Sequence, residues 1–387
     1  MKKKIAILGS TGTIGKILLN IVKNDSKNFE IILLTANKSS EKLLEQAELF
    51  NVKNLILNDS DEFKKKKKFF NKKNINVYEN FEILDQIFKK KIDYVLSAIS
   101  GIEGLYPTIK IIKHSKEIAI ANKEAIICGW NLIKKELLNY NTKFIPVDSE
   151  HFSLWFALKN VNLKIEKIFL TASGGPFLNY SKKKINNVKI SEAINHPNWK
   201  MGKKISIDSS TMMNKVFEVI EAGNIFDFEL KKIGMLIHQK SYIHAIIKFK
   251  NGMIKIIAHD TTMKIPIFNS LYNNYPAKNL KTKPIDLKKL NLLSFKKIDN
   301  LKFPLVKILN FLPSKCSLYN TIIVAANDKL VELFLENKIK YSSISSTLLK
   351  FIKSKEFSVY KKKYPKNIKE ITKLNNYVRL KIEGLSI

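Results

Sequence analysis

Cysteine and arginine are almost missing from this chain. Among its 387 residues there are 2 cysteines. Cys128 and Cys316 lie far apart with no metal-ligand spacing, so neither a disulfide framework nor a zinc site is encoded, and a reducing compartment fits. The one arginine is Arg379, so the formal net charge of +34 is carried by lysine. Arginine is the side chain that forks onto phosphates and base edges, and its scarcity argues against a nucleic-acid partner. The lysines mix with asparagine and isoleucine in stretches such as 64–68, which read as solvated faces. Also lacking is any run near the roughly 20 apolar residues that cross a bilayer, which excludes a membrane span. The opening residues imitate a secretory signal, but their apolar run, 5–8, stops at Gly9. It reads as a strand with no transit-like extension before it, and the expected location is the cytoplasm.

What is present is a globular chain too long for one small core. Two or three domains are expected, and a hydrophobic fraction of 45% lets each of them fold. Short apolar runs at 5–8, 31–34, 54–57, 94–98, 118–121 and 144–147 alternate with helical segments, which predicts an α/β, Rossmann-like, doubly wound parallel sheet. The lysine-rich stretch 64–80 reads as a solvated helix face or loop. Past residue 147 come a strand at 165–171, a glycine turn, a polar stretch at 179–200, a helix, and strands near 241–249 and 253–258. Lys250-Asn251-Gly252 between the last two is a hairpin signal, and the whole is α+β. A connector around 274–304 leads to helices, clearest at 320–337 and 343–354. The expected division is a cofactor domain at 1–147, an α+β catalytic, connective and dimerisation domain at 148–273, the connector, and a C-terminal helical domain at 305–387.

Gly9-Ser10-Thr11-Gly12-Thr13-Ile14-Gly15 falls between the first strand and the first helix, where small residues let the backbone approach a pyrophosphate at a helix N-terminus. That position makes it a dinucleotide motif. The end of the second strand, where an NAD site offers an acid to the ribose, carries Ala36, Asn37, Lys38 and Ser39. A cation and hydroxyls without a carboxylate point to a 2′-phosphate and so to NADP, unless Lys38 is incidental in so lysine-rich a chain. Asn122-Lys123-Glu124 follows a strand at the carboxyl edge of the sheet, which aims Lys123 at substrate. In Pro146-Val147-Asp148-Ser149-Glu150-His151 an extended chain would present Asp148 and Glu150 on one side. With Glu218 they would suit a hard cation such as Mg²⁺ or Mn²⁺, and the alternative is a capping box that opens a helix. Ser173 stands at the glycine turn of Thr171-Ala172-Ser173-Gly174-Gly175-Pro176-Phe177, a backbone that can cup an anion.

The stretch 208–222 concentrates most. If Ser209 or Ser210 caps a helix, its free amides and dipole favour a phosphate that Asn214 and Lys215 can reach, and Asn214 shares a face with Glu218. The alternative is an ordinary amphipathic helix with Met212, Met213, Val216, Val219 and Ile220 as its buried stripe. His196, Trp199 and Met201 stand in the loop before it, as core anchors or as a lid over substrate.

These stretches resemble one family, 1-deoxy-D-xylulose 5-phosphate reductoisomerase. The matching runs are GSTGTIG (9–15), SAISGIEGL (97–105), ANKEA (121–125), PVDSEH (146–151), TASGGPF (171–177) and HPNWKMGKKISIDSSTMMNK (196–215), with Glu218 beyond, in the family's order and at similar spacing. The resemblance implies an NADPH-dependent rearrangement and reduction of 1-deoxy-D-xylulose 5-phosphate to 2-C-methyl-D-erythritol 4-phosphate, early in the non-mevalonate isoprenoid route. It implies that Asp148, Glu150 and Glu218 hold a divalent metal (Mg²⁺, Mn²⁺ or Co²⁺) acting as a Lewis acid on the substrate oxygens, where Lys123 assists. Ser173, Ser209, Asn214 and Lys215 would hold the substrate phosphate and Ser149 the sugar backbone, under a flap of His196, Trp199 and Met201. Besides Gly9, Ser10, Thr11, Gly12, Thr13 and Ile14, the cofactor would touch Ala36, Asn37, Lys38, Ser39, Ser100, Asn122, Glu124, Gly202 and Met263. A homodimer is expected from the same resemblance.

Three stretches depart from the family pattern. Ile237-His238-Gln239-Lys240-Ser241 stands for I-H-P-Q-S, His259-Asp260-Thr261-Thr262 lacks the usual glycine and proline before Met263, and Val324-Ala325-Ala326-Asn327-Asp328 stands for N-A-A-N-E. Every proposed ligand position is kept, so an active enzyme is expected. The competing readings are another NADP oxidoreductase, of homoserine or semialdehyde type, which needs no phosphate cradle, and a nonenzymatic basic binding protein.

Overall fold

Buried strands and the helices that cover them organise the computed structural model, which describes residues 1–273, 279–313 and 315–385. The chain separates into two compact units, and neither is one continuous segment. The first comprises residues 1–125, 132–148 and 263–280; the second comprises 126–131, 149–262 and 281–387.

The first unit is built on seven parallel strands: β1 (Lys3–Leu8), β2 (Phe29–Ala36), β3 (Asn54–Leu57), β4 (Asn76–Tyr78), β5 (Ile92–Ser97), β6 (Ser115–Ile120) and β7 (Lys143–Pro146). Their order is β4-β3-β2-β1-β5-β6-β7. Ile5, Ile7, Leu8, Leu33, Leu34 and Leu96 are wholly buried, as expected of strands covered on both faces. The crossovers include helices α1 (Thr13–Lys23), α2 (Ser40–Phe50), α3 (Ser60–Lys72), α4 (Leu105–Ile112) and α5 (Lys123–Asn139). The strand order reverses between β1 and β5, and that switch point puts the glycine turn after β1 where α/β sheets bind ligands.

Two sequence expectations change here. Within 64–80 the helix reading holds for α3, whose one buried residue is Phe70, but Asn76–Tyr78 is a strand at the sheet edge. Three residues, with Val77 alone buried, are too few to show a period of two. Residues 263–273, read with the middle domain, cluster with the first unit instead. The helix Lys264–Leu271 adds buried Ile267 and Leu271 to that core, Ser270 Oγ lies 2.7 Å from Tyr94 Oη, and Lys3 donates to the Leu271 carbonyl at 2.8 Å.

The second unit holds a mixed sheet of β8 (Ile165–Ala172), β9 (Ile233–Ile237), β10 (Ile243–Phe249) and β11 (Ile254–Ala258), in the order β11-β10-β8-β9. The expected hairpin joins β10 to β11, with Gly252 at φ +88°. Helices α6 (Ser149–Leu158), α7 (Lys203–Ser210) and α8 (Met213–Phe226) follow the same unit. Leu154 of α6 and Val219 of α8 pack on Ile168, Leu170, Ala245 and Ile247 of the sheet. The expected C-terminal helices are α9 (Leu318–Leu335), α10 (Tyr341–Ile352) and α11 (Ile368–Glu383). They cluster with the α+β part, and α9 is buried nearly all round. Within the connector Lys296 pairs with Ile237 as an added antiparallel bridge, while its residues 274–278 lie outside the described residues. Among the described residues no helix is long and apolar enough to cross a membrane.

Gly15 is the tightest of the nucleotide-loop positions. A Cβ there would lie 2.6 Å from Gly9 O and 2.6 Å from Ser10 Cα. Gly15→Ala should therefore push α1 off the loop and lower stability by about 1–3 kcal/mol. Urea unfolding midpoints measure this, and an unchanged midpoint would remove the close approach from the account.

Candidate active site

In the first unit the chemistry gathers at the carboxyl ends of the strands. Gly9 leaves β1 at φ +80°, and a Cβ would come within 2.8 Å of the Ala98 carbonyl. Its N–H donates to Thr35 Oγ1 at 2.9 Å, and the Ser10 N–H donates to Thr35 O at 2.9 Å, which lays the loop across the end of β2. The Ser10 hydroxyl is buried and donates to Gln46 Oε1 at 2.6 Å, so this side chain shapes the loop from within. Gly12 precedes α1 in extended geometry with no side-chain cap, which leaves the first-turn amides to an anion. Past β2, Ala36 is buried while Asn37, Lys38 and Ser39 are exposed. The stretch itself lacks an acid, but the fold brings one: Asp59 lies 3.6 Å from the Lys38 ammonium. The Glu62 amide, and then Lys38, hold the Asp59 carboxyl below its ordinary pKa.

Asn122 ties neighbouring loops together. Its Oδ1 accepts from the Ala125 N–H at 2.8 Å and caps α5, while Nδ2 donates to Ile99 O and, at 2.7 Å, to Gly101 O. Ser100 is exposed beside these carbonyls and Glu124 is buried in the first turn of α5. Lys123 starts that helix and pairs with Asp148 at 2.5 Å. Met263 packs on this unit's core.

In the second unit Ser149 and Glu150 open α6. The extended geometry expected for 148–150 is thus replaced by a strand-to-helix turn, because β7 ends at Pro146 and the helix starts three residues later. Ser149 donates its hydroxyl to Glu150. Glu150 Oε1 accepts from Lys215 Nζ at 2.7 Å, and the same ammonium pairs with Glu218. Lys215 is buried. Burial alone would lower its pKa, but Glu150 and Glu218 outweigh burial and raise it. Asn214 donates to Glu218, so the shared helix face read from the sequence is real. Behind Glu218, fully buried His151 places Nε2 2.8 Å from the Glu218 carbonyl oxygen. Two carboxylates against one ammonium leave an excess negative charge, and all the donors are hard oxygens, a set that fits a divalent cation.

The expected cap does not form at Ser209 or Ser210. Both lie in the last turn of α7, and α8 begins at Met213 after Met212, which turns the chain at φ +64°. The Ser210 hydroxyl donates back to Ile207 O at 2.7 Å and Thr211 Oγ1 to Asp208 O at 3.2 Å, which prolongs α7, and buried Met212 fixes the turn by packing. The positive dipole end therefore belongs to the first turn of α8, where Asn214 and Lys215 stand, and Ser209 lies at a helix C-terminus. The apolar stripe of Met212, Met213, Val216, Val219 and Ile220 is buried as expected, so the polar cluster and the core face share one helix.

The loop before α7 is organised by His196. Its Nδ1 accepts the N–H groups of Asn198 at 3.1 Å and Trp199 at 3.0 Å, so the proton sits on Nε2 and is donated to Ser173 Oγ at 2.9 Å. Asn198 in turn donates to Ser241 Oγ at 2.9 Å. The Trp199 ring meets His244 edge-on at 6.2 Å, and His244 stacks on His259 at 3.7 Å. Met201 is half-buried and Gly202 is exposed at the start of α7. The departing stretch 237–241 still closes a turn, with Ser241 at φ +49° and its N–H on His238 O at 3.0 Å.

Family models described as 1-deoxy-D-xylulose 5-phosphate reductoisomerase and as its C-terminal domains match residues 5–129, 144–226 and 260–381. A 1-deoxy-D-xylulose 5-phosphate reductoisomerase of Pelagibacter ubique (strain HTCC1062) is 58% identical over 389 residues, with 100% of each chain covered. This chain belongs to the 1-deoxy-D-xylulose 5-phosphate reductoisomerase family. Solved structures agree with that. The reductoisomerase from Zymomonas mobilis in complex with NADPH matches at a TM-score of 0.86 with 27% identity, over 100% of each chain. A DOX-P reductoisomerase in complex with NADPH, fosmidomycin and magnesium matches at 0.90 with 30% identity, over 98% of this chain and 97% of that one. The homoserine or semialdehyde reading and the basic binding protein are set aside by family membership.

Reading the sequence missed Asp59, His151 and Asn198. Asp59 and Asn198 reach their partners only through the fold, while His151 stands in the quoted run 146–151, where a helix starting at Ser149 turns it inward.

Burial drops the His196 pKa from 6.5 to about 4. A lowered folded pKa means the native state resists protonation, so the contribution to stability is complete above about 6.5 and is lost as pH falls toward about 4. Protonation at Nδ1 would break both hydrogen bonds accepted from the Asn198 and Trp199 N–H groups and release the loop. An NMR titration should give an imidazole midpoint near 4 in the native protein, and a midpoint near 6.5 would show that the ring is solvated.

Proposed function

We propose that this chain catalyses the NADPH- and divalent-metal-dependent isomerisation and reduction of 1-deoxy-D-xylulose 5-phosphate to 2-C-methyl-D-erythritol 4-phosphate. The observation that carries this reading is the buried Lys215 ammonium between Glu150 and Glu218, with Asn214 on the same helix face. When bound, the metal supplies Lewis-acid polarisation of the substrate oxygens and NADPH supplies the hydride. Asp148, Glu150 and Glu218 are the carboxylates that would hold the metal, Asp148 preceding Glu150 by two residues in the chain.

The remaining roles follow from the residues' own chemistry. Lys123, paired with Asp148, orients that carboxylate and offers an ammonium to the substrate oxygens. Ser173, Ser209, Asn214 and Lys215 bind the phosphate, and the His196 Nε2–H on Ser173 Oγ leaves the serine's own proton to point elsewhere. Ser149 holds the sugar backbone, while Trp199 and Met201 exclude water. The turn Gly9 to Ile14 and the first amides of α1 take the pyrophosphate, and Ala36 to Ser39 take the ribose end, with Lys38 facing a 2′-phosphate. Ser100, Asn122, Glu124, Gly202 and Met263 complete the cofactor contacts.

A homodimer is part of the proposal. Phe169, Ile246 and Ile256 are register partners across β8, β10 and β11. On the edge strand Ile256 is 48% and Ile254 55% exposed, an apolar row that a second copy would cover. A cytoplasmic location is proposed as well, to which a chain with only two cysteines, Cys128 and Cys316, is suited.

Purified protein should oxidise NADPH with the phosphorylated deoxy-ketose only when a divalent cation is added. Equal turnover of the unphosphorylated ketose, or turnover in excess chelator, would overturn the reading. Glu218→Gln should lose more than the roughly 10–100-fold that removal of an outer partner of a metal costs, with NADPH affinity unchanged. Wild-type metal affinity in that variant would strip Glu218 of its ligand role. Ile256→Asp should yield monomers by light scattering, and an intact dimer would move the interface elsewhere.

A further inference from the structure

We propose that Asn327 and Tyr341, on the C-terminal helices α9 and α10, are positioning residues that hold Ser209 and Ser173 at the spacing a phosphate needs. The inference rests on the phosphate reading of those serines given above. Ser209 is half-buried between two buried neighbours, Asp208 and Ser210. Each neighbour is tied from a different C-terminal helix. Asn327 Nδ2 donates to Asp208 Oδ1 at 2.8 Å, and because a carboxylate only accepts, this bond settles which way the amide faces. Lys204 pairs with Asp208 Oδ2 at 3.0 Å and with Asp328 at 2.9 Å, so the last turn of α7 is fastened to α9 twice.

Tyr341 acts on the other side. Its hydroxyl lies 2.9 Å from Ser210 Oγ, whose own proton goes to Ile207 O, so Tyr341 is the donor. Its ring meets Phe177 edge-on at 5.1 Å and Phe334 of α9 at 5.6 Å. Phe177 ends the turn that carries Ser173, so one side chain grips both serine-bearing segments, with its hydroxyl on one and its ring on the other. The segments also touch directly. A Cβ on Gly175, at φ +67°, would come within 2.9 Å of Ser209 O and of Ser210 Cα. With no room to slide, the distance between Ser173 and Ser209 is set by what packs behind them, and that is α9 and α10. Hydroxyls that must meet one phosphate gain from being held in place before it arrives.

The test uses the full-length chain carrying Asn327→Ala or Tyr341→Phe, with Ser209→Ala as the reference. Tyr341→Phe keeps the ring and removes only the hydroxyl, so it stays informative if the asparagine variant fails to fold. The expected result is a rise of about tenfold in KM for the phosphorylated ketose, the size of one displaced hydrogen bond to a charged group. The inhibition constant of inorganic phosphate should rise in parallel, while kcat and NADPH affinity are kept. A fall in kcat with KM unchanged, or unaltered phosphate inhibition in Tyr341→Phe, would overturn the inference. If Ser209→Ala itself leaves phosphate inhibition untouched, it is the phosphate reading of the site that falls.

Discussion

Taking a carboxylate and an ammonium out of water costs several kcal/mol per ion, and the second unit tolerates it because buried Lys215 and Glu218 meet half-buried Glu150 at contact distance. Lys215 sits between Glu150 and Glu218, and much of the surrounding architecture serves that arrangement. α6 must begin at Ser149 for Glu150 to project from a first turn, and α8 must present residues 214, 215 and 218 from its start. The apolar stripe on the opposite side of α8 locks the helix onto the sheet, so the charged face has little freedom to drift. His151 holds the Glu218 carbonyl from behind, which fixes the backbone there.

Much of this is legible in the sequence. Long apolar runs with a period of two or with continuous burial, such as 5–8 and 31–34, announce themselves, and the turn Lys250-Asn251-Gly252 marked its hairpin. Family motifs carried the function. What was not legible depended on chain segments distant in sequence. Asp59 faces Lys38 only because α3 starts beside the end of β2, and no local pattern reports that. Ser209 and Ser210 look like caps because serine before an apolar run usually is one, yet the hydroxyls of Ser210 and Thr211 bond backward and extend α7. The left-handed turn at Met212 was invisible as well, since side-chain packing rather than glycine or asparagine stabilises it.

The departures from the family pattern turn out to be absorbed locally. Without its proline, 237–241 still turns, because the His238 N–H reaches Ala172 O at 2.7 Å and its ring stacks on Phe295. His259, in the stretch that lacks the usual glycine, lies flat against His244 and so underpins the loop that carries Trp199. Asp328 keeps its charge within reach of Lys204. His238, His259 and Asp328 are thus each held by a contact within the second unit.

One feature of the connectivity bears on how the chain matures. The helix Lys264–Leu271 finishes the core of the first unit, yet a ribosome makes the second sheet before it. At synthesis rates of roughly 5–20 residues per second, the nucleotide sheet waits on the order of ten seconds for its last cover. Through that interval Tyr94 lacks Ser270, Phe29 lacks the edge-on ring of Tyr272, and an apolar flank stays open to water. The nascent chain thus carries an uncovered apolar flank for an interval set by topology, which ends only when residues 264–272 emerge.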